Sequence, residues 1–388
     1  MAEFLVIGGG IGGLATALAV ARTGRAVRVL ERSAEFGEVG AGIQLAPNAT
    51  RILDGLGVLD AIREVGVLPR RLVLADAVSG GELTALDLTD FPARYGAPYV
   101  VVHRTDLHRI LLAACAAEGV ALETSAHVTD VRDLGSTVEL ATADGRTLTG
   151  SAAVGADGLR SQVRRLFSDD EPICSGYVAY RGAVPMEQVG RHTDRRDVVA
   201  WVGPGLHLVQ YPLRSGRMYN QVAVFRSDAY TRGETDWGTP AELEERFAVC
   251  SEHVRESIPL LGRDQRWPMY DREPIPTWVK GRVGLLGDAA HPMVQYLAQG
   301  ACQALEDAAT LAAALGRHEV GPALLAYQDV RAPRTARVQR TARTWGQIWH
   351  VDGVAKLLRD ELFAHRGERD HTHVEWLYGE EHAGPAGL

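Results

Sequence analysis

The sequence predicts an α/β protein, in which a Rossmann-like dinucleotide-binding domain is interrupted by an antiparallel β-sheet domain and followed by C-terminal helices. Three observations predict this fold. Residues 4–30 have the pattern of a buried strand, a glycine-rich turn, a helix and a second strand. Residues 177–226 alternate polar and apolar side chains, with aromatics among them, which is typical of antiparallel strands. From residue 282 the pattern of strand, glycine loop and helix returns, so the first domain is discontinuous.

The composition excludes several classes of protein. Of the 388 residues, 46% are hydrophobic and 23% are charged, as in ordinary soluble globular proteins. The chain has 41 basic and 49 acidic residues and a net charge of −8. Its short arginine clusters, within 160–165 and 331–343, are interpreted as solvated helix faces. Because a duplex-binding protein normally carries a basic face, we expect no nucleic-acid partner.

Cysteine spacing and the N-terminal segment bear on location. Cys115, Cys174, Cys250 and Cys302 are too far apart for a CxxC metal motif or a dense disulfide framework. We therefore expect free thiols, no bound metal and a reducing cytoplasm. Residues 4–21 carry no charge, but they include five glycines, and the leader Met-Ala-Glu has no basic segment. The sequence therefore predicts neither a membrane span nor a signal peptide.

In the first half of the chain, helices and strands are predicted to alternate. A helix over residues 11–23 ends at Gly24, as is typical of a glycine that follows a helix. A second helix is expected over 48–65 and a third over 105–119. The apolar or alternating runs predicted as strands are 4–7, 27–30, 120–123, 127–133, 137–142 and 152–154.

The second half begins with the β-like segment and ends in helices. Strands are expected within 177–226, a helix over 239–250 and a strand over 283–286. The C-terminal helices are predicted over 300–315, 324–349 and 354–363, with about the last 20 residues as a loose polar tail. The predicted domains are 1–174 with 270–330, including an excursion around 70–103 into the other domain; 175–269; and 331–388, the C-terminal helices and tail.

A dinucleotide site is predicted at the first turn. Gly8, Gly10 and Gly13 form a G-x-G-x-x-G pattern that follows a strand and opens a helix, and Glu31 ends the next strand. Gly8 permits the tight turn, Gly10 admits a pyrophosphate, and Gly13 lets helix and strand pack closely. The helix N-terminus attracts phosphate, and Glu31 can accept hydrogen bonds from a ribose.

Two later loops extend this pattern. Asp157-Gly158 follows a strand and precedes a helix, and so does Gly287-Asp288, with Gln299-Gly300 at the start of the next helix. Asp288 could bind a ribityl hydroxyl, and backbone N–H groups near Gly300 could meet a flavin pyrimidine edge. Each loop alone could be a simple strand-to-helix connection. Three in this order are far more specific.

These motifs, in this order and spacing over nearly the whole chain, resemble those of the FAD-dependent aromatic hydroxylases, the single-component flavoprotein monooxygenases. The segment 40–44 and Arg104 at a helix start add to the resemblance. It implies a Rossmann-like FAD-binding domain and an antiparallel substrate domain. The residues that it implies for cofactor binding are Gly8, Gly10, Ile11, Gly13, Glu31, Arg32, Gly42, Gln44, Arg104, Asp157, Asp288, Gln299, Gly300 and Ala301.

Within the family, four stretches are most similar to the branch that hydroxylates 3-hydroxybenzoate: residues 36–42, 175–182, 267–274 and 345–353. The chain also departs from the general family pattern. Most members have Pro and Gly at the positions that here hold Gln295 and Ala298. Gln295 beside the flavin again resembles the 3-hydroxybenzoate branch.

The resemblance implies a reaction and its catalytic residues. NADH reduces FAD, O2 adds to form a flavin C4a-hydroperoxide, and its distal oxygen attacks a ring activated as a phenolate, giving gentisate (2,5-dihydroxybenzoate) from 3-hydroxybenzoate. A phenol has a pKa near 10, so a general base is useful, and His207 on a predicted strand suits proton transfer near pH 7. Tyr211 lies on the same face of that strand. Gln295 could hydrogen-bond the substrate, and Tyr99 is a weaker pocket candidate.

Several alternatives stay open from the sequence. The substrate could be salicylate or a hydroxypyridine carboxylate. The protein could be a flavin-dependent oxidase or reductase that releases peroxide, or a non-catalytic dinucleotide-binding protein, and His207 could be a core histidine. Preference for NADH over NADPH, and a homodimer, rest on the resemblance alone.

Overall fold

The computed structural model describes residues 2–37, 40, 42–190 and 196–379. Glu38, Val39 and Ala41, which belong to a stretch used for the resemblance, and the last nine residues of the tail lie outside that set. Its strands are β1 (Phe4–Ile7), β2 (Val27–Leu30), β3 (Gly42–Leu45), β4 (Arg71–Asp76), β5 (Glu82–Asp87), β6 (Val100–His103), β7 (Ala121–Glu123), β8 (Val128–Asp133), β9 (Val138–Thr142), β10 (Thr147–Gly150), β11 (Ala152–Gly155), β12 (Ile173–Pro185), β13 (Val198–Gly203), β14 (Leu206–Leu213), β15 (Met218–Arg226), β16 (Trp267–Asp271), β17 (Val279–Lys280) and β18 (Val283–Leu285).

The α-helices are α1 (Ile11–Ala21), α2 (Pro47–Gly55), α3 (Leu59–Val65), α4 (Phe91–Tyr95), α5 (Arg104–Ala117), α6 (Asp228–Thr231), α7 (Pro240–Phe247), α8 (Glu252–Ser257), α9 (Gly300–Leu315), α10 (Val320–Trp349), α11 (Gly353–Ala364) and α12 (Glu375–Tyr378). Among these described helices, none combines the length and apolar character needed to cross a membrane.

The first sheet is the Rossmann-like part of the molecule. Its strand order is β17-β18-β11-β1-β2-β7, and all neighbours are parallel except β17 and β18. The whole of β1 is buried, as expected for a parallel strand covered on both faces. Helix α9 packs against both α1 and α10. The α/β fold class predicted from the sequence is confirmed.

The second large sheet has the order β16-β12-β15-β14-β13-β4-β5. It is antiparallel except where β13 pairs with β4. Of the segment 70–103, β4 and β5 lie in this sheet, whereas β6 pairs with β3 in a separate two-stranded ribbon. The domain boundaries given above remain predictions.

The arginine clusters are not simply solvated helix faces, and this interpretation was wrong. Arg331 is 0% exposed and Arg164 is 1% exposed. Arg331 forms ion pairs with two residues of α9, Glu306 and Asp307, and the distance to Asp307 is 2.7 Å. Arg164 forms an ion pair with Asp170 at 2.9 Å. The sequence periodicity of α10 could not show this, because the acidic partners lie on another helix.

The tail prediction also needs correction. His371 is 3% exposed and packs against the rings of Phe91 and Tyr95. Arg51 donates hydrogen bonds to the carbonyl of Tyr95 and, at 2.9 Å, to that of Tyr378. The described part of the tail is therefore packed onto α2 and α4, because its aromatic side chains find apolar partners there.

Candidate active site

One large cavity, of about 1080 Å³, lies between the two large sheets. It contains almost every residue that the sequence analysis proposed for a site. Those lining it are Gly8, Gly10, Ile11, Glu31, Arg32, Gly42, Gln44, Tyr99, Arg104, Asp157, His207, Tyr211, Asp288, Gln295, Gln299, Gly300 and Ala301. Gly13 does not line it, which agrees with the close packing of helix and strand expected for this residue, and its part in cofactor binding stays a prediction.

Gly13 permits the close packing within the glycine turn. A Cβ on Gly13 would lie 2.0 Å from the carbonyl oxygen of Gly8, and one on Gly8 would lie 2.4 Å from that of Ala156. Gly8 also has a φ of +113°, which side chains rarely adopt. The turn can therefore fit between α1 and β11 only when both positions lack side chains.

Glu31 holds the same turn from the next strand. Its Oε2 accepts a hydrogen bond from the Gly9 N–H at 2.8 Å, and its Oε1 accepts one from Ser33 N–H at 2.9 Å. Burial raises the pKa of this carboxyl, but the hydrogen bonds outweigh burial and the net pKa is lowered. Glu31 is therefore an ionised carboxylate at the cavity wall, and ribose binding by it stays a prediction.

The carboxylate of Asp157 is engaged locally. It accepts hydrogen bonds from the hydroxyl of Ser161 at 2.5 Å and from the N–H of Gln162 at 2.7 Å. These contacts fix the turn that leads into the short helix Val163–Leu166. Contact between Asp157 and a dinucleotide also stays a prediction.

The middle of the cavity is built by close backbone approach. A Cβ on Gly42 would lie 2.4 Å from the ring of Tyr211, so the glycine lets β3 pass directly beneath that ring. The Gly42 N–H donates to Asn220 at 2.8 Å, and the Tyr99 hydroxyl donates to Gln44 at 2.7 Å. Tyr99 therefore orients a predicted cofactor residue as well as lining the cavity.

A buried ionic cluster, which the sequence analysis missed, supports the Gly287-Asp288 loop. Asp307 accepts hydrogen bonds from Gly287 N–H at 2.9 Å and contacts His291 at 2.6 Å and Arg331 at 2.7 Å. Burial raises the pKa of Asp307, but the charges of His291 and Arg331 outweigh burial and lower this pKa to about 2. The available signal was an acidic pair, Glu306-Asp307, inside an alanine-rich helix.

Ala298, just before α9, adopts the left-handed conformation with a φ of +52°. That conformation costs a residue with a Cβ roughly 1–2 kcal/mol. It explains physically why the position suits glycine, and it shows that the loop shape is kept here despite the alanine.

The other end of the cavity is formed by one face of the seven-stranded sheet. Arg181, Val222, Val209, Ala200 and Leu74 lie directly opposite one another across five strands. Residues paired in this way share a face, and all five line the cavity. The floor is thus largely apolar.

Three polar side chains project from this floor. His207 and Tyr211 lie two residues on either side of Val209 on β14, and so on its face. Arg181 lies two strands away, at about 10 Å by the usual strand spacing. The sequence analysis did not single out Arg181, although it lies within a stretch that carried the resemblance.

Arg181 is a half-buried cation, and it has no acidic partner among the described residues. Burial, and then the nearby charge of Arg104, lowers its pKa. Its guanidinium lies 5.5 Å from the ring centre of Trp267, and its Nε has no hydrogen-bond partner. A guanidinium of this kind is suited to bind an anion.

His207 is fully buried and is contacted on both ring nitrogens. Its Nδ1 lies 2.9 Å from Nε2 of His350, and its Nε2 lies 3.4 Å from the amide nitrogen of Gln295. Burial, and then the charge of His350, lowers the pKa of His207 well below its usual value. His207 is therefore a neutral imidazole at pH 7. His350 was also missed, although it too lies in a stretch that carried the resemblance.

These residues fit FAD. The glycine turn and the N-terminus of α1 offer free N–H groups to a pyrophosphate, and Gly8, Gly9 and Gly10 all line the cavity there. The side chain of Gln299, in the cavity wall beside the N-terminus of α9, has a buried amide nitrogen with no partner. Gln299 and the N–H groups near Gly300 would hold the flavin ring, and the glycine turn would hold the pyrophosphate.

Known proteins match over nearly the whole chain. A model of the FAD binding domain family matches residues 1–342. The 3-hydroxybenzoate 6-hydroxylase 1 of Aquipseudomonas alcaligenes is 42% identical, over 98% of this chain and 98% of that protein. The 3-amino-4-hydroxybenzoate 2-monooxygenase of Streptomyces cremeus is 38% identical, over 96% of this chain and 94% of that protein.

Solved structures agree with these sequence matches. A variant of HpxO from Klebsiella pneumoniae, crystallised with FAD, superimposes with a TM-score of 0.87 at 27% identity. The match covers 98% of this chain and 99% of the other.

Proposed function

The chain belongs to the FAD-dependent aromatic hydroxylases, and from this we propose that it converts 3-hydroxybenzoate to 2,5-dihydroxybenzoate (gentisate) with NADH and O2. It is an FAD-dependent monooxygenase. In the proposed reaction one oxygen atom of O2 enters the ring and the other leaves as water, while NADH is oxidised to NAD⁺. FAD, when bound, supplies the transfer of electrons from NADH to O2 and the activated oxygen.

The observation that carries the substrate proposal is the sheet face with three polar side chains on an apolar floor. A small aromatic ring would lie against Val209, Ala200 and Val222. The guanidinium of Arg181, which has no acidic partner in the described part of the chain, would bind its carboxylate, and the neutral imidazole of His207 would face its phenol group. Arg181 and His207 are separated by two strands and by two residues along the strand, and a ring that carries an acid and a hydroxyl group would lie between them.

The chain's own residues then orient the ring and move one proton. His207 Nε2 takes the phenol proton, which makes the ring electron-rich at the position para to the oxygen. The amide of Gln295, now 3.4 Å from His207 Nε2, would hydrogen-bond the resulting phenolate. The apolar floor and the aromatic side chains Tyr296 and Trp349 around His207 exclude water from the reacting ring.

The test is to mix FAD-loaded enzyme with NADH, with and without 3-hydroxybenzoate, while following the reduced-nicotinamide absorbance. We expect stimulated NADH consumption and one gentisate per NADH, identified by chromatography, with label from ¹⁸O2 in the product. Benzoate, which lacks the phenol, is the matched control and should give no product. NADPH in place of NADH tests the nicotinamide preference.

The other outcomes separate the alternatives. Stimulated NADH loss that yields only peroxide would make the protein an oxidase toward this compound. The enzyme could also ignore 3-hydroxybenzoate but hydroxylate salicylate, a hydroxypyridine carboxylate or 3-amino-4-hydroxybenzoate. That result would replace the proposed substrate and leave the proposed reaction class unchanged.

We also propose that the chain forms a homodimer. Helix α11 presents an apolar face in which Val354, Leu357, Leu358 and Leu362 are 62–74% exposed. A contiguous exposed apolar patch of this kind marks an interaction surface. Light scattering should give twice the mass of the 41.9 kDa chain, and Leu358→Glu should give the monomer mass.

A further inference from the structure

His350 lies behind His207, on the side away from the cavity. It is the first residue after α10, and it does not line the cavity. Its ring is stacked on Tyr177, with ring centres 4.7 Å apart, and nearly parallel to the ring of His207. Unlike the fully buried His207, it is only half-buried. The two histidines therefore form a continuous path from the cavity toward solvent.

We propose that His207 and His350 form a proton relay, which carries the phenol proton of the substrate out of the cavity and fixes the tautomer in which His207 can accept it. This inference rests on the proposed function, because a phenol must bind at His207 for the relay to operate. His350 acts through His207 and touches neither substrate nor flavin.

The contact between the two rings dictates how the protons are placed. A single proton lies in the 2.9 Å contact between His207 Nδ1 and His350 Nε2. If His207 donates it, the lone pair of His207 Nε2 accepts the hydrogen bond of the Gln295 amide nitrogen, which the phenol would displace when it binds. His350 then holds its own proton on Nδ1.

The transfer balances in three bonds. The phenol O–H breaks as a proton bonds to His207 Nε2. The Nδ1 proton of His207 moves to Nε2 of His350. The Nδ1 proton of His350 leaves to solvent. The dyad is again neutral, with each ring in its other tautomer, and the net change is one phenolate formed and one proton released.

The groups around the two histidines explain why His207 alone would not be sufficient to remove the phenol proton. Burial, and then the charges of Arg359 and Arg226, lowers the pKa of His350 to about 3. The other groups that face the two rings are Tyr177 and Tyr296, whose pKa values burial raises, so both are neutral. No acidic side chain among the described residues stabilises a charged imidazolium here, so a proton taken by His207 must be passed on.

The test measures proton release when a phenolic acid binds to the oxidised, FAD-loaded enzyme. A pH indicator in weak buffer follows the release by stopped flow, with whichever phenolic acid the wild-type enzyme hydroxylates. We expect His350→Leu to slow this release roughly 100-fold, at the lower end of the range of proton-transfer effects, and added imidazole to make the release faster again. Equal release rates in wild type and His350→Leu would overturn the relay.

Two further variants separate relay from position. His350→Gln can still accept the hydrogen bond from His207 Nδ1 but cannot pass a proton on, so it should keep the tautomer and lose the fast release. Gln347→Ala, on the exposed side of the same helix end, should match wild type.

A second measurement needs no substrate. With ¹⁵N-labelled histidine, the nitrogen shifts of His207 should show the Nδ1–H tautomer in wild type and in His350→Gln, and a mixture in His350→Leu. An Nε2–H tautomer in the wild-type protein would overturn the proposal even if 3-hydroxybenzoate is the substrate. If another phenol proves to be the substrate, the relay is tested with that phenol, so the two proposals fail separately.

Discussion

The two ends of the cavity are built in different ways. At the dinucleotide end, Gly8, Gly13 and Glu31 come from one segment of chain, and close packing and hydrogen bonds of the backbone form the turn. At the substrate end, Arg181 and His207 project from separate strands, and His350 follows a helix more than 140 residues away from His207. The first site is a property of local sequence, whereas the second exists only because distant strands pair in a given register. A substitution should therefore have a different kind of effect at each end.

The largest effect is expected at the dinucleotide end, from Gly13→Ala. The new Cβ would lie 2.0 Å from the carbonyl oxygen of Gly8. A backbone atom cannot shift away as easily as the end of a flexible side chain. We expect loss of bound FAD and a fall in the free energy of unfolding of about 3 kcal/mol. Flavin absorbance of the purified protein and thermal unfolding measure these two quantities.

Gly55→Ala provides the control, because a Cβ on Gly55 meets nothing within 4 Å. It should keep FAD and stability. Full flavin content in Gly13→Ala would contradict the assignment of Gly13 to close packing.

At the substrate end, His207→Leu should spare the flavin and remove the chemistry. The leucine fills the buried space, so FAD content should stay normal, but no base faces the phenol. We expect kcat for hydroxylation to fall about 10²- to 10⁴-fold. Product formation per NADH measures it. A variant that loses FAD as well would show that the two ends are not independent.

Arg181→Met should act on binding more than on rate. It keeps the apolar stem over the sheet and removes the charge that would hold a carboxylate. A hydrogen bond to a charged group contributes about 1.5–3 kcal/mol, so KM for the aromatic acid should rise roughly 10- to 100-fold with a smaller change in kcat. The FAD content is the internal control, and an unchanged KM would place the carboxylate elsewhere.

The smallest effect is expected at the loop that joins the two ends. Ala298→Gly removes the cost of a Cβ at a φ of +52°, so the free energy of unfolding should rise by about 1 kcal/mol or less. Chemical denaturation measures it. Ala313→Gly, inside α9, should instead lower stability by about 1 kcal/mol. A loss of stability in both variants would mean that the alanine conformation is not strained.

Sequence reasoning succeeded where one segment carries its own signal. Strand, glycine turn, helix and acidic residue lie within residues 4–31, and a pattern of that length is readable without knowing what packs against it. The resemblance proposed His207 and Tyr211, and their even spacing predicted one face of a strand, from which both line the cavity; their catalytic role stays a prediction.

It failed where the meaning of a residue depends on a partner far along the chain. Arg331 was interpreted as solvated because its helix shows no sign of Glu306 and Asp307, which lie on α9. Arg181 and His350 lie in stretches that carried the family resemblance, but neither residue was given a role from the sequence. Nothing near them in sequence shows that Arg181 is a half-buried cation with no acidic partner among the described residues, or that His350 contacts His207.

The sequence by itself thus determined the α/β class, the glycine turn, the FAD family and a set of site candidates of which nearly all line the cavity, because these depend on periodicity and on short motifs. Only the tertiary structure decided which charges are buried and paired, and that two histidines are in contact. The physical reason is that burial and pairing are properties of the space between elements. A local pattern fixes the conformation of its own segment, but the dielectric surroundings of a side chain are set by whatever folds against it.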